Sequence, residues 1–198
     1  MNKNKKIMTK VLLIRVLFIL ILGSVLVWGI GQTSVYQKII YPYPHRLLIK
    51  KYATLYGVDP LLVVSVIREE SKFLPQSESH KGAKGLMQIM PSTASSIAKS
   101  MGDKNYNDQD LIKPEKNIQY GTWYLASLKK EFDSNPTLIL AAYNGGRGHV
   151  KEWLNNNQLK LEQLRLQDIP FEETRQYVER VLKSYQIYSK LYASETSQ

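Results

Sequence analysis

Val11 to Ile30 is a run of 20 residues in which Arg15 is the only charge, and it constrains the chain more than any other segment. Twenty helical residues span about 30 Å, the thickness of a bilayer's hydrocarbon core. Lys3, Lys5, Lys6 and Lys10 stand before the run, and by the positive-inside rule they hold the N-terminus in the cytoplasm. Arg15 lies near the cytoplasmic end, within snorkelling reach of the headgroups, and Trp28 falls near the far boundary. The pattern predicts a cytoplasmic stretch over 1–10 and a single-pass anchor over 11–31, with everything after it extracytoplasmic. A cleaved signal segment would begin the same way. The length of the run and the bulky Val27-Trp28-Gly29-Ile30-Gly31, which offers no small-residue cleavage site, favour the retained anchor. The four lysines oppose a buried core helix.

At 198 residues the chain has room for this segment and one domain with a proper core. The net charge of +10 invites a nucleic-acid reading, so its location matters. Residues 1–58 carry nine Lys or Arg and no acid, whereas residues 59–198 carry 18 Lys or Arg against 17 Asp or Glu. The basicity belongs to the N-terminal part, and no basic stripe interleaved with aromatics remains for nucleic-acid binding. Without cysteine there is neither a disulfide framework nor a thiolate metal site. His45, His80 and His149 lack metal-ligand spacing, so no metal and no cofactor are expected.

The exported part reads as helical throughout. Gln32 to Tyr43 is expected to be a spacer, since Pro42 and Pro44 discourage regular structure. His45 to Tyr56 predicts a helix with Leu48, Tyr52 and Leu55 inward, closed by Gly57. Asp59-Pro60 supplies an N-cap and a proline at the first helical position, which turns the valine-rich stretch to Glu70 into a helix despite its strand propensity. Pro91 to Gly102 predicts another helix, and Asn105 to Lys113 a polar loop. Pro114 opens a long helix to about Phe132, with Ile118, Trp123, Leu125 and Leu128 inward. Asn135-Pro136 restarts the chain into an apolar helix to Tyr143, broken by Gly145, Gly146 and Gly148. Helices near 149–154 and 171–192 follow. The expectation is an all-α domain of about seven short helices over 45–192, after a spacer at 32–44 and before a tail at 193–198.

Four segments carry chemistry. Glu70 lies seven, four and three residues after Val63, Val66 and Ile67, so it shares a face with three apolar β-branched side chains. A carboxylate there is costly to ionise and inclined to hold its proton, as a general acid must. Glu69 shares a more mixed face with Leu62, Ser65 and Val66, and spacing alone also allows both glutamates to be solvated. Gly82 to Pro91 places glycines around Met87, Gln88 and Met90, where backbone can approach a ligand closely. Ala142-Tyr143-Asn144-Gly145-Gly146 exposes a tyrosine and an asparagine at a helix end. Pro170 to Val178 opens the last helix with Glu172 and Glu173. Taken singly, each has an ordinary structural explanation: core methionine, helix C-cap, or acids favouring a helix dipole.

In this order they closely resemble the soluble lytic transglycosylase family (SLT domain) of the lysozyme-like superfamily. That family shows Glu-Ser-x-Phe/Trp, Gly-Leu-Met-Gln-x-Met-Pro, Ala-Tyr-Asn-x-Gly and Pro-x-x-Glu-Thr-Arg-x-Tyr-Val boxes. All four stand here, at Glu70–Phe73, Gly85–Pro91, Ala142–Gly146 and Pro170–Val178. The resemblance covers roughly 45–192 and implies a lysozyme-like all-α catalytic domain. It implies Glu70 as the single catalytic acid/base and Ser79 as a contact to a substrate N-acetyl group. It implies Gln88, Met90, Tyr143, Asn144, Glu173 and Tyr177 as residues lining or supporting the saccharide cleft. Lys84 stands where the family often has a small polar residue, which affects a groove edge and not the acid.

The implied reaction is cleavage of the bond from N-acetylmuramic acid to N-acetylglucosamine in peptidoglycan, ending in a 1,6-anhydro ring. Ordinary glycosidases use two carboxylates; here one suffices, because the sugar's own 6-hydroxyl replaces water. The implied partners are glycan strands and, through the N-terminal helix, the cell membrane, with a monomeric catalytic domain on the cell-wall side. A lysozyme-type hydrolase and a catalytically silent wall-binding protein are the rival readings. The segment Asn155–Gln167 is expected to bear on whether one end of the groove is closed.

Overall fold

The computed structural model describes residues 3–31, 33–156 and 165–196. The chain divides into two compact units, Met1–Pro42 and Tyr43–Gln198. In the first, α1 (Lys3–Gly31) is one uninterrupted helix. Its segment Met8–Leu26 is long and apolar enough to cross a membrane, and none of it is buried against protein. The expected spacer is not wholly irregular. Thr33 Oγ1 accepts from Tyr36 N at 3.3 Å and caps a short helix, α2 (Ser34–Ile40), which stops before Pro42.

The second unit contains seven α-helices among the described residues: α3 (Arg46–Tyr56), α4 (Pro60–Ser71), α5 (Pro91–Met101), α6 (Pro114–Glu131), α7 (Pro136–Gly145), α8 (Arg147–Asn155) and α9 (Glu172–Thr196). Their ends follow local capping chemistry. Asp59 Oδ1 accepts from Leu61 N at 2.8 Å, and Pro60 follows it into α4. Asn135 Oδ1 accepts from Thr137 N and Leu138 N at 3.0 and 3.2 Å and starts α7. Gly57 and Gly102 close α3 and α5 in the left-handed conformation. Each cap satisfies backbone groups the helix itself leaves orphaned.

Burial then assembles the helices around α4, which packs against α3 and α9. Leu61, Val63, Val64, Val66 and Ile67 are all buried. Removing such side chains from water contributes roughly 1.5–3 kcal/mol each, which outweighs the weak strand preference of valine. The apolar α7 is buried from Leu138 to Ala142 and packs against α6, α8 and α9. At its far end α9 is fixed by Arg46, whose guanidinium donates to Glu195 at 2.6 Å, and by Tyr43, which meets Tyr188 and Tyr192 edge-on.

Three local expectations differ from the structure. The buried face of α3 is Ile49, Tyr52 and Ala53, while Leu55 is 63% exposed. Three consecutive apolar residues, Leu47-Leu48-Ile49, leave the inward face undecided until α6 and α4 choose it. Residues 105–113 are not all loop: Asn107 caps a 3-10 turn over Asp108–Ile112 that buries Leu111. Trp123 is half-buried at the wall of a cavity, whereas Ile118, Leu125 and Leu128 of the same helix are core.

Candidate active site

Glu70 sits in the last turn of α4. That helix ends at Ser71 because Lys72 and Phe73 both take positive φ (51° and 66°). Ser71 Oγ donates to Leu86 O at 2.8 Å, which ties this helix end to the Gly85–Gln88 turn. The turn is held from the other side by Asn117, which is fully buried in α6. Asn117 Oδ1 accepts from Met87 N at 2.7 Å, and its Nδ2 donates to Lys84 O and Leu111 O at 2.9 and 2.7 Å. Gly85 has φ 78°, and a Cβ there would run into Leu111 O and the Asn117 amide. Only glycine fits this position. Asn117 is not among the residues expected at the site; its signal in the sequence is a polar residue beside Ile118 on the inward stripe of α6.

Above this turn lies a cavity of about 380 Å³ lined by Glu70, Ser79, Gln88, Met90, Tyr143, Asn144 and Glu173, together with His80, Lys81 and Ala83. Seven of the eight residues implied by the resemblance thus meet on one cavity, drawn from α4, the loop after it, α7 and the first turn of α9. Tyr177, the eighth, is buried behind it, one turn further along α9 than Glu173.

The roles available to these side chains differ in detail. Gln88 takes φ 46°, and its Nε2 donates to Ser77 O and Gly85 O at 3.0 and 2.9 Å, so its donor holds the loop and only Oε1 remains for a ligand. Ser79 Oγ accepts from Ala83 N at 3.0 Å, which leaves its hydroxyl proton to be donated outward. Tyr143 Oη donates to Met87 O at 2.8 Å, which fixes its ring across the cleft. Glu173 and Asn144 are exposed at the rim.

The two adjacent glutamates have opposite fates. Burial pushes the Glu70 carboxyl up to about 7. The Tyr177 hydroxyl and the Arg180 guanidinium pull the other way, and Glu69 adds to the rise. Tyr177 Oη faces this carboxyl without reaching hydrogen-bonding geometry, and the buried hydroxyl makes no hydrogen bond among the described residues. Burial, followed by the Glu70 charge, holds the phenols of Tyr143 and Tyr177 well above their usual value. Burial also acts to raise Glu69, but Lys72, Ser184 and Arg68 more than offset it and hold that carboxyl below the usual range. Glu69 bonds to Arg68 at 2.7 Å, Lys72 at 2.8 Å and Ser184 at 2.7 Å, with 4% of its side chain exposed. Neither glutamate is the solvated helix-end residue that spacing alone allows. No group of three or more His, Asp or Glu residues is arranged to hold a metal among the described residues.

An acid kept protonated near neutrality thus sits on the floor of a cleft whose polar walls are locked. The transglycosylase SLT domain family matches residues 47–165. The chain belongs to that family. The soluble lytic murein transglycosylase of Escherichia coli K12 is 35% identical over 157 residues, 78% of this chain and 24% of that protein. The membrane-bound lytic murein transglycosylase C of Actinobacillus pleuropneumoniae serotype 5b is 38% identical over 112 residues, covering 52% of this chain and 31% of its own length. Among solved structures, the 70 kDa soluble lytic transglycosylase of Escherichia coli superposes with a TM-score of 0.73 at 34% identity, over 78% of this chain and 25% of that one. An inactive glutamate-to-glutamine mutant of the Pseudomonas aeruginosa enzyme Slt superposes with a TM-score of 0.69 at 34% identity, over 82% and 26%. The chain therefore spans about a quarter of the length of the soluble relatives it matches. The SLT domain is the lysozyme-like all-α fold expected from the four boxes. Most of the segment 155–167, expected to bear on the closure of the groove, lies outside the described residues.

Proposed function

We propose that this protein is a membrane-anchored lytic transglycosylase that cuts peptidoglycan glycan strands between N-acetylmuramic acid and N-acetylglucosamine. The observation that carries the reading is Glu70, a carboxyl raised to about 7 on the floor of the cleft. At neutral pH a large share of it is protonated and ready to act as a general acid. Glu69 is committed to Arg68, Lys72 and Ser184, so it is not free to serve as a second catalytic carboxylate.

In the first half-reaction the Glu70 proton passes to the glycosidic oxygen as the bond from C1 of N-acetylmuramic acid breaks. The bonding pair leaves with the N-acetylglucosamine oxygen, and positive charge develops at C1. Ser79 and the free Oε1 of Gln88 line the cavity where the N-acetyl groups dock, and Tyr143 and Asn144 form the wall facing Glu70. In the second half-reaction ionised Glu70 takes the proton of the muramic 6-hydroxyl as that oxygen bonds to C1. This closes the 1,6-anhydro ring and returns Glu70 to its starting state, with no water consumed. One group acting first as acid and then as base works best with a pKa near the working pH.

Met8–Leu26 serves as a single-pass anchor, with the N-terminus cytoplasmic and the SLT domain on the wall side; the name of the membrane-bound relative supports anchoring. The domain is proposed to act as a monomer. The test is digestion of purified peptidoglycan by the full-length protein in detergent, with mass analysis of the products. Anhydro-muramic ends that vanish in Glu70→Gln support the reading. Reducing ends alone would make the protein a hydrolase.

A further inference from the structure

Glu69, next to the catalytic carboxyl, has more positive charge around it than one carboxylate needs. Its Oε1 accepts from Arg68 Nη1 and from Ser184 Oγ, both at 2.7 Å, and its Oε2 accepts from Lys72 Nζ at 2.8 Å. Arg180 Nε lies 3.9 Å from the same Oε2. Three cations thus converge on one carboxylate, whose side chain is only 4% exposed. Pairing a buried carboxylate mostly offsets its desolvation and adds little net stability. Stability alone therefore does not account for a surplus of cations set beside an acid that has to hold its proton.

Position along α9 shows where that surplus would otherwise go. Glu173, Tyr177, Arg180 and Ser184 follow one another at helical intervals and form one stripe. The stripe meets the end of α4 in order: Glu173 lines the cleft with Glu70, Tyr177 faces Glu70, and Arg180 and Ser184 reach Glu69. Arg180 stands between the residue that faces Glu70 and the residue that bonds Glu69. Its side chain is long and 53% exposed, so its guanidinium has two carboxyls to choose between. Its charge already acts on Glu70 from where it stands. The other titratable groups around Glu70 do not take this part. Burial keeps Tyr143 on α7 and Tyr177 neutral, and His80, Lys81 and Glu173 are exposed at the rim, where water and salt screen them.

We propose that Glu69 is a positioning residue for the reaction: its carboxylate holds the Arg180 guanidinium, with Arg68 and Lys72, and so denies Glu70 a counter-ion. Ser184 and Arg68 fix Oε1, which leaves Oε2 to Lys72 and Arg180. With Arg180 swung over to the Glu70 carboxylate, the acid would ionise more readily and lose its proton before a glycosidic oxygen could take it. The Glu69 charge works in the same direction, since a like charge next door disfavours ionisation of Glu70. One glutamate is the sink for positive charge, and its neighbour is thereby kept as the proton donor. This rests on Glu70 being the acid of the proposed reaction.

The test uses the full-length protein in detergent micelles, with isotope-labelled glutamate carboxyls followed by NMR. The Glu70 signal is the one missing from Glu70→Gln. Its titration midpoint and kcat/KM on purified peptidoglycan are measured over the same pH range. Glu69→Gln is expected to lower both midpoints by about one unit, so that kcat/KM falls about tenfold at pH 8 and far less at pH 5. Adding Arg180→Gln is expected to reverse most of that fall, and Arg180→Gln alone is expected to move both midpoints upward. A uniform loss at every pH with an unmoved midpoint would leave Glu69 a merely structural residue and overturn the proposal. So would a fall that Arg180→Gln does not reverse. Arg180 is exposed, so its single variant decides the matter even where Glu69→Gln folds poorly: an unmoved Glu70 midpoint there overturns the proposal. A wild-type protein that cleaves nothing would instead remove the reading of the Glu70 cleft, and the NMR midpoints, which need no substrate, keep that outcome separate.

Discussion

Ser184 Oγ on α9 donates to Glu69 Oε1 on α4 at 2.7 Å, across 115 residues of sequence. This contact seats the charged member of a glutamate pair against α9, where Arg68, Lys72 and the more distant Arg180 complete its compensation. Its neighbour Glu70 is left to face the cleft with its proton. Two identical residues, adjacent in sequence, are separated in chemistry by what packs against them.

Glu70→Gln is expected to stabilise the protein above neutrality while abolishing cleavage. The folded carboxyl titrates at about 7, against 4.5 for an unperturbed glutamate. Between those values the unfolded chain releases its proton and the folded chain keeps it, so stability falls as pH rises through this window and levels off above about 7. The penalty at pH 8 is on the order of 3 kcal/mol. Thermal unfolding should therefore show a higher midpoint for the variant at pH 8 and no difference at pH 4. Equal midpoints at both would contradict a desolvated Glu70.

The same pKa shapes the rate. Cleavage needs Glu70 protonated in the free enzyme, so kcat/KM should fall as pH rises, with a midpoint near 7. A rate that climbs from pH 7 to 9 would show that another group donates the proton.

Tyr177→Phe removes a hydroxyl that acts on Glu70 to lower its pKa. The alkaline limb of kcat/KM should move to higher pH. Because the hydroxyl is buried and makes no hydrogen bond among the described residues, losing it should leave the melting midpoint unchanged or raise it. A large loss of stability with no shift of the limb would assign Tyr177 a purely structural place.

Asn117→Ala strips the support from the Gly85–Gln88 turn and leaves Met87 N and Leu111 O without their side-chain partner, while Lys84 O keeps its bond from Ile89 N. Orphaning such groups costs about 1–3 kcal/mol each when water cannot replace the partner. A loss of about 2–4 kcal/mol in urea unfolding is expected, with cleavage falling through a rise in KM as Gln88 and Met90 lose their footing. Stability within about 0.5 kcal/mol of wild type, the scatter of surface substitutions, would refute this account of the turn.

Much of the helical frame is legible in the amino-acid sequence alone. Asp59-Pro60 and Asn135-Pro136 start helices, and Gly57 and Gly102 end them, because a cap is made between residues two to four apart and needs nothing distant. The face of α3 is not legible, since Leu47-Leu48-Ile49 offers two apolar faces and only the neighbouring helices select Ile49. Asn117 and Trp123 escape sequence reasoning for a related cause. Periodicity assigns a residue to a stripe, but whether the stripe meets core, loop backbone or cavity depends on what lies opposite.

The amino-acid sequence by itself determined where the helices begin and end, how apolar the N-terminal segment is, and that an acid follows the apolar face of α4. Those properties are set by neighbours in the chain. The proton affinity of Glu70, the neutralisation of Glu69 and the placing of Trp123 at a cavity wall were decided only by tertiary structure. Desolvation and charge pairing depend on Tyr177, Ser184 and Arg180, which lie more than a hundred residues away and reach α4 only when α9 packs against it.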